Sequence, residues 1–310
     1  MEDECELLSS RGILKSCCMH SVNPTSDLTK EITYAVDKRN VPLRRTPSVY
    51  VNTAALEFFC TNILPKIRAP IVLVTGDSDN SIPNSSMNIA FIARMLGHPK
   101  IKRWYCQNLC CKVQNLHALP IGLDYHTLSA RDAFGQSAKR PADQEASLKE
   151  IGKSGKPFWE RQVKCYTNFA HSMSHSSGEP VEYAGIRRAA LTHTNRDLYD
   201  IERKGASREE CWRNQLEYAF VISPPGNGLD CHRTWEALNL GCIPIILRPS
   251  FSSAHEQWQL DVYDELPVLV VGLWEDITQR LLDDTVRRFE STRFNYDKLL
   301  LKYWLDRIHE

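Results

Sequence analysis

The densest group of residues able to do chemistry lies between residues 220 and 247. An apolar run is followed by a glycine-bearing loop at 225–228, a polar-headed helix pattern and a second apolar run. Glycines allow close backbone approach and positive φ, and the amino end of the following helix would aim its free N–H groups and dipole at an anion. This order of elements predicts a phosphate and ribose site.

The polar residues at the head of this helix have distinct predicted roles. Asp230 is the predicted N-cap. Either His232 or Arg233 would hold a phosphate, and Glu236 would accept hydrogen bonds from vicinal sugar hydroxyls. A simpler interpretation also exists, in which Arg233 and Glu236 form an exposed ion pair of little energetic value.

A phosphate site without a metal requires positive charge or backbone donors from the protein. Two adjacent arginines on a predicted helix are further candidates, although successive helical residues point in different directions. The predicted donor-binding residues are Arg187, Arg188, Ser223, Gly226, Asn227, Gly228, Asp230, His232, Arg233 and Glu236. The aromatic side chains or backbone groups of residues 166–169 are predicted to bind the nucleobase.

Exostosin-like glycosyltransferases carry a nucleotide-sugar motif that resembles the string Ser223-Pro-Pro-Gly-Asn-Gly-Leu-Asp230-x-His232-Arg233-x-x-Glu236-Ala-Leu-x-x-Gly241-x-Ile-Pro244. The resemblance extends over roughly residues 70–310 and is most specific over 218–247. Within this family the motif is most similar to the soluble xylosyltransferase-like branch found in large algal viruses.

The resemblance implies an α/β protein of the GT-B type, in which two Rossmann-like domains face a cleft and a C-terminal helix crosses back to the first domain. The implied domains are an acceptor-side domain at 1–157, a donor-binding domain at 158–290 and the returning helix at 291–310. The implied activity is inverting, metal-independent transfer of a sugar from a UDP-sugar, with UDP-xylose favoured, to a glycan hydroxyl. No cofactor beyond the donor is expected.

The transfer needs a general base, and the candidates are the two carboxylates of Asp77-x-Asp79, which follow the apolar run 71–74. One carboxylate is sufficient to take the proton from an acceptor hydroxyl. We prefer Asp79, with Asp77 second. Two alternatives stay open: the pair could hold a divalent cation, or it could serve only in a turn and helix cap. Other possible bases are Asp124, Glu57 and His126.

Composition limits the classes of partner. Lysine plus arginine equals aspartate plus glutamate at 38 each, so no overall charge favours nucleic acid or a membrane surface. No run approaches the roughly 20 apolar residues of a membrane span, and the acidic start is unlike a signal peptide, so a cytoplasmic enzyme is expected. The eleven cysteines show no zinc-finger spacing and are expected to be reduced and mostly buried.

Apolar periodicity predicts alternating helices and strands in two halves. Residues 1–48 are expected to be a loosely structured lead-in, and 129–160 a surface insertion with the interdomain linker. The predicted elements are helices at 52–67, 86–96, 207–218 and 230–240, two helices within 274–310, and strands at 71–74, 101–106, 116–121, 164–169 and 266–271.

Rival functions were compared with the same residues. A nicotinamide dehydrogenase or a P-loop enzyme should carry G-x-G-x-x-G or G-x-x-x-x-G-K-[ST], and neither string occurs. A catalytically inactive sugar-binding protein would keep the donor motif and lose the base, and a retaining GT-B transferase is the nearest enzymatic competitor.

Overall fold

The computed structural model describes residues 1–21, 46–84, 87–169, 184–248 and 260–310. In these residues the strands are β1 (Ser48–Asn52), β2 (Ile71–Gly76), β3 (Ile101–Cys106), β4 (Leu116–Ala118), β5 (Gln162–Thr167), β6 (Tyr199–Ile201), β7 (Tyr218–Ile222), β8 (Ile243–Leu247) and β9 (Leu269–Val271). The α-helices are α1 (Ser10–Ser16), α2 (Leu56–Phe58), α3 (Ile89–Leu96), α4 (His126–Ala130), α5 (Pro141–Lys153), α6 (Ala184–His193), α7 (Arg208–Gln215), α8 (His232–Asn239), α9 (Gln279–Glu290) and α10 (Leu301–His309).

The chain forms two compact units, each built around one parallel sheet. The first unit takes the described residues of 2–121, 250–262 and 300–310, and the second takes Met1 and the described residues of 122–249 and 263–299. The predicted α/β class with two parallel sheets is therefore confirmed. The sequence analysis assigned 122–157 to the first domain, whereas these residues belong to the second unit.

The first sheet has the order β1-β2-β3-β4, with every pair parallel. β2 lies in its interior and is buried along its whole length, as its run of branched apolar residues predicts. The last helix, α10, belongs to this unit, and the Tyr105 hydroxyl donates a hydrogen bond to the Arg307 carbonyl at 2.7 Å.

Two expectations for the first unit are wrong. Residues 1–21 are not a loose lead-in, because α1 buries Ile13 and Leu14 and the Leu301 amide donates to the Glu6 carbonyl. The predicted helix at 52–67 is a series of short 3-10, α and π turns. Pro65 explains the irregular end, because proline lacks the amide proton that a regular helix requires.

The second sheet has the order β6-β5-β7-β8-β9, again with every pair parallel. Its interior is apolar: Phe220 and Ile222 of β7 and Ile243 and Ile245 of β8 are completely buried. The expected strand at 266–271 is shorter, and the expected strand at 164–169 begins and ends two residues earlier.

The expected surface insertion at 129–160 contains a helix that the sequence analysis missed. α5 begins with Pro141 at its first position and packs on α7 and α8. It buries Gln144 and Glu145 as well as Leu148 and Ile151. Because half of this buried face is polar, the apolar period that marks a core helix was absent.

Eight of the eleven cysteines are buried, which confirms the expectation that most of the thiols lie in the interior. Among the helices in the described ranges, none has both the length and the apolar character that a bilayer span needs.

The carboxyl end of α8 is closed by Gly241. Gly241 has a φ of 70° and its amide donates to the Leu238 carbonyl, while Arg161 donates from Nη2 to the Leu240 carbonyl at 2.9 Å. A side chain at 241 would adopt a left-handed conformation, and its Cβ would lie 3.2 Å from Nη2 of Arg161.

We therefore expect Gly241→Ala to lower the free energy of unfolding by about 1–2 kcal/mol, measured by denaturant titration. Gly185→Ala is the matched control, because no atom lies within 4 Å of a Cβ at that helical position. The control is expected to leave stability unchanged or raise it slightly. Equal effects of the two substitutions would contradict this explanation of Gly241.

Candidate functional site

The strand order of the second sheet defines where a ligand is expected to bind. The chain passes from β5 to β6 on one side and then crosses to β7 on the other side of β5. The carboxyl ends of β5 and β7 are thus adjacent at the point where the order reverses, and open parallel sheets bind ligands in the crevice at such a point. Phe169 follows β5 and the loop 223–231 follows β7, so both predicted segments lie at this switch point.

The loop after β7 is tied to the sheet and to α8. The Ser223 amide donates to the Ile245 carbonyl, and the Ser223 hydroxyl is hydrogen-bonded to the Thr234 hydroxyl at 2.8 Å. A tight turn follows, in which the Gly226 amide donates to the Gly228 carbonyl at 2.8 Å. Neither glycine has the positive φ that the sequence analysis allowed for. Asn227 lies exposed at the tip of this turn.

The N-cap of α8 is Cys231, which corrects the prediction of Asp230. The Asp230 carboxylate is buried and accepts hydrogen bonds from Trp235 Nε1 at 3.0 Å and from the Tyr263 hydroxyl at 2.5 Å. Burial, and then the charge of Asp230, raise the pKa of Tyr263 well above its usual range. Asp230 therefore anchors the loop from within, and α8 begins without a side-chain cap on its amide groups.

Two of the predicted phosphate-binding arginines meet at this loop. Arg187 of α6 is buried and donates from Nε to the Pro225 carbonyl at 2.8 Å. Arg233 of α8 donates from Nη1 to the Pro224 carbonyl at 3.3 Å. Both guanidinium groups lie over the Phe169 ring, at 5.9 Å and 5.2 Å from its centre.

The two arginines also influence each other electrostatically. Burial, and then the charge of Arg233, lower the pKa of Arg187 to about 10, so Arg187 still carries its charge at neutral pH. Arg233 makes no ion pair with any carboxylate in the described ranges. Positive charge beside the uncapped start of a helix favours an anion, most of all one with two phosphate groups.

Arg188, the neighbour of Arg187, is exposed on α6. Adjacent helical residues diverge by about 100°, so burial of Arg187 against the loop turns Arg188 to solvent. The structure thus separates two arginines that the sequence treated as a pair.

Glu236 lies on α8 three residues after Arg233, but the two do not form the ion pair that the simpler interpretation offered. Instead, one oxygen of Glu236, Oε1, accepts hydrogen bonds from Arg208 Nε at 2.9 Å and Nη2 at 2.6 Å. Glu236 is 9% exposed, so its carboxylate lies at the edge of the buried interior. A carboxylate with one oxygen fixed and the other near the surface is suited to accept hydrogen bonds from the hydroxyl groups of a ligand.

Sequence reasoning did not identify Arg208. The local sequence gives one indication, because Ser207 and Glu210 form a capping box that makes Arg208 the first residue of α7. Its partner lies 28 residues further along the chain, and no periodicity connects the two positions.

A second group of titratable residues surrounds the amino end of α8. His232 is hydrogen-bonded through Nδ1 to the Gly122 carbonyl at 2.7 Å, and its ring lies 6.0 Å from that of His126. His126 Nδ1 lies 3.0 Å from Asp124 Oδ1, which also accepts from the Thr127 amide. His232 is thus held by the protein, and Asp124 and His126, both alternative bases, form one hydrogen-bonded pair.

The predicted catalytic residues belong to the first unit and differ in exposure. Asp77 is buried with a φ of 50°, and its backbone is held by Asn52 Nδ2 and Gln107 Oε1. Its carboxylate lies 3.5 Å from Arg11 Nε. Asp79 is exposed, so of the two it is the one whose carboxylate solvent can reach. The choice of Asp79 over Asp77 as the base stays a prediction.

Two further observations concern other ligands. Glu57, a third alternative base, is exposed on α2. In the part of the chain that the structure describes, no group of three or more His, Cys, Asp or Glu side chains is arranged to hold a metal ion.

Comparison of the chain with models of known protein families and with curated proteins finds no match in either.

The Asp124 carboxylate gives a pH-dependent prediction. Burial acts to raise its pKa, but His232, His126, the Thr127 amide and Arg208 outweigh burial and lower the pKa from 3.8 to about 2. A lowered pKa in the folded state stabilises the protein above pH 4, and this contribution is lost as the pH falls from about 4 to 2.

We expect Asp124→Asn to reduce the free energy of unfolding at pH 7 by about 2 kcal/mol, since one pKa unit corresponds to about 1.4 kcal/mol. The difference from the parent protein should shrink between pH 4 and pH 2 in denaturant titrations. Asp143→Asn removes a surface carboxylate whose hydrogen bond with Arg140 also lowers its pKa, and its pH-dependent difference should be smaller because solvent screens this exposed pair. A constant difference for Asp124→Asn across this range would contradict the assignment.

Proposed function

We propose that the second unit binds a nucleotide diphosphate sugar and that the chain is an inverting, metal-independent glycosyltransferase of the exostosin-like GT-B type. The observation that carries this proposal is the meeting of Arg187 and Arg233 over Phe169 at the switch point of the sheet. Two positive groups beside an uncapped helix start match the charge of a diphosphate.

The arrangement on α8 supports a nucleotide in particular. Arg233 and Glu236 are three residues apart, and residues at this spacing are neighbours on a helix surface. One helix thus offers a cation for phosphate and a carboxylate for the hydroxyls of a ribose. A simple anion would use the arginines and would make no use of the second carboxylate oxygen of Glu236.

The proposed chemistry uses the chain's own residues. A base takes the proton from an acceptor hydroxyl of a glycan while that oxygen forms a bond to the anomeric carbon. The bond from this carbon to the diphosphate breaks on the opposite face, which inverts the configuration. The bonding electrons leave with the diphosphate, whose charge Arg187, Arg233 and the α8 amide groups stabilise. UDP is the proposed carrier, and the resemblance of the donor motif favours xylose as the sugar.

Arg233→Gln should weaken binding of UDP by roughly tenfold to a hundredfold, because it removes a charge-assisted hydrogen bond to phosphate. The measurement is titration calorimetry with UDP in EDTA, repeated with manganese. The matched control is Arg188→Gln, which removes an exposed arginine. Because salt screens exposed charges, this variant should change the affinity for UDP less than threefold.

Equal losses for the two variants would place the phosphate elsewhere. Binding of UDP only with manganese would favour a metal-dependent site at Asp77 and Asp79. No binding of any nucleotide diphosphate would refute the proposed function.

Asp79→Asn tests the proposed base. It should keep the affinity for UDP but lower the rate of sugar transfer by about 10²–10⁴, the usual contribution of general acid–base catalysis. The rate is measured as UDP release in the presence of UDP-xylose and an acceptor glycan. Full activity of this variant would assign the base to another residue, and failure of the parent protein to turn over would favour a nucleotide-sugar-binding protein.

A further inference from the structure

Arg208 is a buried arginine close to α8. It is 7% exposed, and its guanidinium carbon lies 5.3 Å from the centre of the Phe134 ring and 5.0 Å from that of Trp212. Both rings are within the range of cation–π interaction.

Three segments besides its own helix accept hydrogen bonds from Arg208. Nη1 donates to the Asp124 carbonyl at 2.7 Å and to Gln144 Oε1 of α5 at 3.2 Å. Nε and Nη2 both donate to Glu236 of α8. Four of the five N–H groups are therefore engaged, and the guanidinium plane is fixed in position and angle.

The two bonds to Glu236 end on the same oxygen. In a fork-to-fork pair each carboxylate oxygen would accept one N–H group, and both would be occupied. Here Oε1 accepts both, and no donor from the described residues is within hydrogen-bonding distance of Oε2. Arg208 therefore holds the carboxylate rigidly and leaves one acceptor oxygen for a ligand.

The remaining oxygen selects for a particular ligand chemistry. An ionised carboxylate only accepts hydrogen bonds, so it binds a hydroxyl group and gives no stabilisation to a C–H group in the same place. Two lone pairs on one oxygen suit the adjacent hydroxyls of a ribose.

We infer that Arg208 is a positioning residue, which fixes Glu236 so that the site prefers a ribonucleotide to a deoxyribonucleotide. This inference rests on the proposed function, because it takes a nucleoside diphosphate as the ligand. Arg208 itself does not touch the ligand and acts through Glu236.

The test compares the affinities for UDP and 2′-deoxy-UDP in the parent protein and in variants, by titration calorimetry. The parent protein should prefer UDP by about tenfold or more, as expected for a hydrogen bond to a charged group. Arg208→Lys keeps the charge but lacks the planar fork, so the preference should fall below about threefold. The affinity for 2′-deoxy-UDP should change little.

Arg161→Lys is the matched control. Arg161 is also buried and also holds α8, but it donates to the Leu240 carbonyl at the far end of that helix. The Arg161→Lys variant should have a lower free energy of unfolding than the parent protein, and it should keep the parent's preference for UDP over 2′-deoxy-UDP. The double variant Arg208→Lys with Glu236→Gln should show no smaller preference than Glu236→Gln alone, because both changes act on one interaction.

The outcomes separate the inference from the proposed function. A parent protein that binds neither nucleotide refutes the proposed function. If the parent protein prefers UDP and the Arg208→Lys variant has the same preference, the inference about Arg208 is wrong and the proposed function is unaffected. If Arg208→Lys does not fold, Phe134→Leu replaces it, since Phe134 is exposed at 46% and removes only one ring from Arg208. That variant should lower the preference, and an unchanged preference would overturn the inference.

Discussion

The carboxyl ends of parallel strands all lie at one edge of a sheet. In the order β6-β5-β7, the connections that follow β5 and β7 leave this edge in different directions. The resulting crevice is the constraint on which the candidate site depends. It brings Phe169 from one loop beside Pro224 and Pro225 from the other, although more than 50 residues separate them in the chain. The described strands of the first sheet run in sequential order without such a reversal, so the same argument does not apply there.

Buried Arg187 and partly buried Arg233 both lie over the Phe169 ring, and the positive charge of Arg233 acts on Arg187. Each guanidinium is partly satisfied by a loop carbonyl, Pro225 for Arg187 and Pro224 for Arg233. A carbonyl provides a dipole but no opposite charge, and the repulsion between the two groups is part of the reason for the lowered pKa of Arg187. An anionic ligand bound between the two groups, as the proposed function requires, would reduce this repulsion.

The sequence predicted the order of the strand, loop and helix that carry the candidate residues, but it did not predict the hydrogen-bond partners of those residues. Residues close in sequence, such as Ser223 to Glu236, could be placed on one loop and one helix because strand, glycine and helix patterns are local. The role of Asp230 was wrong because its partners, Trp235 and Tyr263, depend on how the loop folds over the interior. Arg208 and α5 were missed for the same physical reason: their buried faces are polar, and only the folded structure supplies their partners.

A carboxylate near a diphosphate site raises an electrostatic difficulty that Arg208 resolves. The negative charge of Glu236 would repel the phosphate groups that Arg233, one turn earlier on α8, is proposed to hold. Pairing with Arg208 neutralises Glu236, and because both N–H groups end on Oε1 the pair keeps one oxygen as a hydrogen-bond acceptor. A neutral amide at this position would avoid the repulsion but would accept a weaker hydrogen bond from a hydroxyl group. Under the proposed function, the buried ion pair would allow one short helix to bind an anion and also accept hydrogen bonds from sugar hydroxyls, because Arg208 balances the charge of Glu236 and Arg233 stays positive.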